Sequence, residues 1–183
     1  MACEIIGIDT SALDCENDGG IVKAYMCKLS DITAITVTSN VITGFTMSTT
    51  GLWKEFVPDA NQTAFFNEDG TISNDRHSVE TAGFMQFQGV STTYITNANK
   101  LKSCCDLVVI WVMTNGTRRV QGIEYDAAYV GNIARSKNRR TRAAIRILSD
   151  TAANGSRMEY NITGNNKDFS TPTSLTDSAI EAL

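Results

Sequence analysis

The run LVVIWVM at Leu107–Met113 constrains the fold more than any other stretch. Seven consecutive apolar residues show neither the two-residue period of a half-exposed strand nor the 3.6-residue period of a surface helix. They are too few to span a membrane and are rich in β-branched side chains, so they predict a strand buried on both faces. Thr114-Asn115-Gly116 follows, and the polar run 120–125 comes after it. Asn-Gly tolerates positive φ, so the pair predicts a tight hairpin turn with 120–125 as the return strand.

Around this spine the dominant pattern is alternation. The segment 21–29 alternates loosely, and 32–47 carries β-branched residues on either side of Ser39-Asn40. The latter predicts a hairpin or one long bulged strand. Segments 52–58 and 62–68 read as strands, and Glu68-Asp69-Gly70-Thr71 as a turn. Residues 77–89 form a long alternating strand in which Gly83 permits a bend. In 91–104 the period changes. Tyr94, Ala98, Leu101 and Cys105 fall three or four apart, predicting a short helix laid on a sheet and capped by Thr96 or Asn97. Residues 157–164 predict a closing strand, and 166–183 a polar, weakly helical C-terminal extension. The fold class is therefore mainly β, a two-sheet sandwich or small barrel with one short flanking helix. It occupies a single domain of 183 residues.

Charge is distributed unevenly. The net charge is −4, yet Arg135, Lys137, Arg139, Arg140, Arg142 and Arg146 are six of the sixteen basic residues, with no acid among them. This leaves ten basic residues against twenty acidic ones elsewhere. An acidic body with a basic arm or loop, within 127–155, suggests a chain that binds copies of itself or a nucleic acid.

Enzyme chemistry finds little to stand on. A single histidine, His77, removes most triad and zinc schemes, and it reads as a plain surface or interface residue. No phosphate-binding loop is present. Asp69 and Glu80 are spaced like the ends of a calcium loop, but Thr71 and Ser73 are poor intervening ligands. Catalytic, cofactor and metal sites are therefore not expected. The sequons at Asn115 and Asn161 lack a secretory leader to give them meaning. The five cysteines, Cys3, Cys15, Cys27, Cys104 and Cys105, contain no CxxC pair and read as reduced structural thiols made in a cytosol. Trp53 and Trp111 read as core or interface anchors.

The element order carries a resemblance. A first hairpin and an acidic strand precede DGTISNDRHSVETAGFMQFQG. The short helix NKLKSCCD follows, then the apolar strand ending in TNG, a return strand with QGIEYD and Gly122, and a strand after SDTAANGSRMEYNITG. Over residues 20–165 this resembles the tail tube proteins of bacteriophages, particularly phages infecting Bacteroidetes. The resemblance implies a virion protein assembled in the host bacterial cytoplasm. Six copies would form a ring whose inner sheets join into one continuous barrel, and the rings would stack into a conduit for DNA. The implied partners are further copies of the chain, a tape-measure protein, a terminator and a sheath, with no membrane insertion. An acidic lumen wall would keep passing phosphates from adhering. The six basic residues would then bridge rings by pairing with Glu16/Asp18 or Glu68/Asp69 of a neighbour. Contact with DNA in the lumen, or a solvated loop, are the other readings of the arm. A capsid decoration or head–tail connector protein, and a nucleic-acid-binding β-barrel, are the competing readings of the whole chain.

Overall fold

A computed structural model describes residues 20–59, 63–73, 76–104, 106–134, 141–149 and 156–183, with 73, 76, 77 and 149 described for the backbone alone. Eleven strands and two α-helices appear among these residues. The strands are β1 (Ile21–Lys28), β2 (Ile32–Thr38), β3 (Val41–Met47), β4 (Lys54–Phe56), β5 (Ala64–Ser73), β6 (Arg76–Gln88), β7 (Leu107–Met113), β8 (Arg118–Gln121), β9 (Arg142–Ser149), β10 (Ser156–Asn166) and β11 (Thr171–Pro172). The helices are α1 (Thr92–Lys102) and α2 (Asp177–Glu181).

They make three layers. The central sheet has the order β11-β8-β7-β1-β4, and a long-stranded sheet has the order β5-β6-β10-β9. The β2–β3 hairpin forms a layer of its own. The chain is thus mainly β, and it adds a third layer and a second helix to the expected two-sheet sandwich.

The apolar spine explains the layering. Leu107, Val109 and Trp111 enter one core with Met85, Phe87, Met158, Tyr160 and Ile162 of the long-stranded sheet and Ala98 and Leu101 of α1. Val108, Ile110 and Val112 point the other way, into a second core with Ile32, Ile35, Ile42 and Phe45 of the β2–β3 hairpin and Ile180 of α2. A strand buried on both faces has no position for a polar side chain, which is why β7 lacks alternation. Both tryptophans are core residues. Trp111 is fully buried, and Trp53 meets Phe45 edge-on at 5.1 Å between ring centroids.

Local chemistry sets the turns. Ser39 and Asn40 both take positive φ, at 51° and 63°, as a two-residue hairpin whose twist matches its strands requires. After β7 only Gly116 does so, at 79°. Gly116 N–H donates to the Met113 carbonyl and Met113 N–H to the Thr117 carbonyl, giving a three-residue turn rather than the expected pair.

Several expectations are corrected. Residues 68–71 do not turn but lie inside β5, paired with β6 from Ala64↔Met85 to Ser73↔Arg76. Their polar residues suit a strand with a solvent face, which resembles a turn in composition. Ser91, not Thr96 or Asn97, caps α1, its hydroxyl accepting from Tyr94 N–H at 3.1 Å. Gly83 supplies space rather than a bend, since a Cβ there would lie 1.9 Å from Trp111 Cζ2. Within the expected basic loop 127–155, residues 142–149 form β9, hydrogen-bonded along β10. Residues 166–183 are no appendage: β11 pairs with β8 and Ile180 is fully buried. Cys27 is a buried free thiol, as expected, but Cys104 is disulfide-bonded, with a partner outside the described residues. Cysteine spacing in sequence carries no pairing geometry, which is set by distance in space.

Candidate functional site

Beyond its core, the long-stranded sheet presents a face that is uncovered among the described residues. Alternate residues of β5, β6, β10 and β9 point away from the central sheet, as the two-residue strand period dictates. Cross-strand register aligns Phe65, Phe84, Asn161 and Ala144 in one row and Asn67, Ala82, Thr163 and Arg142 in the next. Gln86, Glu159 and Arg146 form a third row, and Asp69, Glu80 and Asn165 a fourth. Phe65 and Phe84 stack at 5.4 Å between centroids, the one aromatic pair recorded on this face among the described residues.

The charges there are mixed. Glu159 holds Arg157 at 3.3 Å and Arg146 at 3.9 Å. Asp69 and Glu80 stand directly opposite each other with no cation beside them among the described residues. The face thus carries Asp69, Glu80 and Glu159 against Arg142, Arg146 and Arg157. Among the described residues its formal charges balance.

Edges differ sharply between the two main sheets. The central sheet ends in β4, three residues long, and in β11, two residues long and containing Pro172. Short edges and edge prolines block further pairing. The long-stranded sheet ends in β5, of ten residues, and β9, of eight. Neither has a further strand partner among the described residues.

Two polar clusters support this face from behind. The amide of Gln121 accepts from Trp111 Nε1 at 2.9 Å and donates to Thr81 Oγ1 at 2.8 Å. These bonds satisfy buried groups between the sheets, since an unpaired buried amide costs about 1–3 kcal/mol. At the β5 side, Glu68 receives Arg119 Nη2 at 2.5 Å and Ser170 N–H at 2.5 Å. Phe66, Asp69, Met113 and Phe169 complete a shallow groove of about 500 Å³ there.

A third cluster lies on the opposite side of the molecule. Lys23 bonds Glu55 at 2.8 Å and Asp177 at 2.9 Å, and Arg118 bonds Asp177 at 2.8 Å. Tyr25 donates to Glu181 at 2.9 Å. Burial alone would lower the Lys23 pKa, but its hydrogen bonds to Glu55, Tyr25 and Asp177 outweigh it and raise it above its ordinary value. Burial raises that of Tyr25, against the opposing pull of Lys23. Burial likewise acts to raise Asp177, but Arg118 and Lys23 hold it below the ordinary carboxylate range.

Of the six basic residues singled out in the sequence, Arg135, Lys137, Arg139 and Arg140 lie outside the described residues, as do Glu16 and Asp18. Arg142 and Arg146 stand exposed on β9, on the open face. Of the acids expected to receive them, Glu68 is already held by Arg119 of its own chain, whereas Asp69 has no such partner. His77 falls within β6. No group of three or more acidic, histidine or cysteine side chains converges on a metal position among the described residues, and none of the helices described there is long and apolar enough to cross a membrane. Apart from Trp111–Gln121, ten positions apart, the Gln121 and Glu68 clusters join residues 40 to 102 positions apart, so nothing in the sequence signals them.

Comparison with models of protein families, with curated proteins and with solved structures finds no match to this chain.

Proposed function

We propose that this chain is a structural subunit that joins copies of itself edge to edge into a ring, and that stacked rings form the tail tube of a tailed phage or a related injection machine. One observation carries the reading: among the described residues, the sheet with the open polar face is also the sheet with two long free edges. A monomer gains nothing from such edges and risks uncontrolled pairing through them.

Strand direction supports closure. Every pairing in β5-β6-β10-β9 is antiparallel, and the strand number is even. The two edges therefore run in opposite directions. A rotation that brings β9 of one copy beside β5 of the next continues the antiparallel ladder, so a head-to-tail contact repeats until it closes. The resemblance of the sequence to tail tube proteins supplies the number six. Six copies of a four-stranded sheet, with strands about 4.8 Å apart and tilted by about 40°, would enclose a barrel roughly 48 Å across at the backbone. That width leaves room for a nucleic-acid duplex once side chains line the wall. A wall of arginines neutralised by neighbouring carboxylates offers phosphates little net attraction.

Negative-stain electron microscopy of the purified protein at rising concentration tests this reading. The expected outcome is rings with a central channel, stacking into tubes. Particles of a single copy at every concentration would refute it. A second reading rests on Arg142, Arg146 and Arg157 sharing a face with the stacked Phe65–Phe84 pair, an arrangement that single-stranded nucleic acid could use. Under that reading the protein binds oligonucleotides with an affinity that falls steeply with salt, whereas the tube subunit does not.

A further inference from the structure

The two free edges carry opposite charge. On the β5 side of the open face, Asp69 and Glu80 are cross-strand neighbours of like charge, an arrangement that destabilises a sheet unless a cation lies between them. Neither has an ion pair with any basic side chain among the described residues. On the β9 edge, Arg142 has no ion pair among the described residues, and Arg146, 73% exposed, reaches Glu159 only at 3.9 Å. Within one copy Asp69 and the two arginines sit on opposite edges of the sheet, three strands apart, while Glu80 stands one strand in, on β6.

We propose that the ring joint is an electrostatically keyed β-ladder in which Arg142 and Arg146 of one copy clasp Asp69 of the next, with Glu80 adding its negative charge from the adjoining strand. The proposal rests on the ring reading and adds to it the partner surface, its polarity and its register. One register serves all the exposed groups. With Asp69 opposite Ala144, the two arginines flank the carboxylate on the same face. The same register sets Leu148 opposite Phe65 and Ile147 opposite Phe66. Phe65 and Ile147 are 36% and 42% exposed in the single copy, so the ladder also covers the apolar surface that the edges leave open. Arginine suits this joint because its planar fork can hold a carboxylate through two bonds while its stem lies along the strand.

The joint is tested by exchanging its charges in the full chain. All four side chains stand on the open face, so folding is retained, and circular dichroism checks it. The variant Arg142→Glu/Arg146→Glu sets acid against acid. The variant Asp69→Arg/Glu80→Arg sets base against base. Each alone is expected to need more than about tenfold higher concentration to assemble, because like charges facing each other oppose association. An equimolar mixture is expected to restore rings in which the two variants alternate, since each supplies the edge the other lacks. Sedimentation velocity reads all three samples. Either variant assembling alone like the wild type, or a mixture that fails to recover, overturns the joint while leaving the ring reading intact. Wild-type protein that never assembles overturns both. Oxidation of assembled Phe65→Cys/Leu148→Cys protein is expected to give covalent ladders, and their absence from wild-type-like rings overturns the register.

Discussion

At the residue scale, the contact between Gly83 and Trp111 shows how one side chain fixes the spacing of two sheets. The indole lies flat over β6 where the glycine leaves space, and Phe66 stacks on it at 5.4 Å. Its N–H is taken by Gln121, which is held in turn by Thr81. A methyl group at position 83 must displace the ring and with it this chain of bonds. Gly83→Ala is expected to cost about 1–3 kcal/mol, read as a shift in the urea midpoint at a concentration below assembly. Adding Trp111→Phe should cost less in the Gly83→Ala background than in the wild type, because the two residues share one contact.

At the scale of elements, the C-terminal segment is a tether. Five helical residues cannot hold themselves together, so α2 depends on what it touches. Ile180 fills the second core, while Asp177 joins Lys23 of β1 to Arg118 of β8. Ile180→Ala is expected to cost about 2–5 kcal/mol by denaturant titration. The ion cluster gives the tether a pH window. Asp177 has its carboxyl held down in the folded state, so its contribution is present above the ordinary carboxylate range and is lost as pH falls through the lowered value. Lys23 and Tyr25 are both pushed up, so their contributions are complete below their ordinary values and are lost on the alkaline side. Asp177→Asn should therefore flatten the acid limb of stability against pH and also weaken the alkaline limb, since Asp177 helps to raise both Lys23 and Tyr25.

At the scale of the whole molecule, the contrast between the two main sheets suggests where the proposed ring would join. The central sheet is buried on both faces and blunted at both edges, so it serves as the spine of the fold. Among the described residues the long-stranded sheet is open on one face and at both edges, which makes it the surface through which the proposed ring would assemble. Hydrogen exchange separates these roles. On assembly, backbone amides of β5 and β9 that face outward are expected to gain protection, while β4 and β11 remain unchanged. Equal protection at all four strands would place the contact elsewhere.

Much of this architecture was legible in the chain itself. The unbroken apolar run of β7 announced a strand buried on two faces, alternation in β6 announced a long strand, and Ser39-Asn40 announced a hairpin or a bulged strand, of which the hairpin forms. These signals are local, because periodicity and turn conformation belong to neighbouring residues. The misreadings share a physical cause. Glu68–Thr71 has the composition of a turn, but pairing with β6 held it extended. The arginines of 142–146 read as part of a basic arm or loop, but hydrogen bonds to β10 made them the edge of a sheet. Gly83 looked like a bend until Trp111, 28 positions away in sequence, was found against it. By itself the sequence determined that the chain folds mainly as strands, with one short helix between the β6 and β7 segments. Which strands share a sheet, which edges stay free and which charges lack partners were decided only by tertiary structure, because each depends on contacts between residues that the chain brings together from far apart.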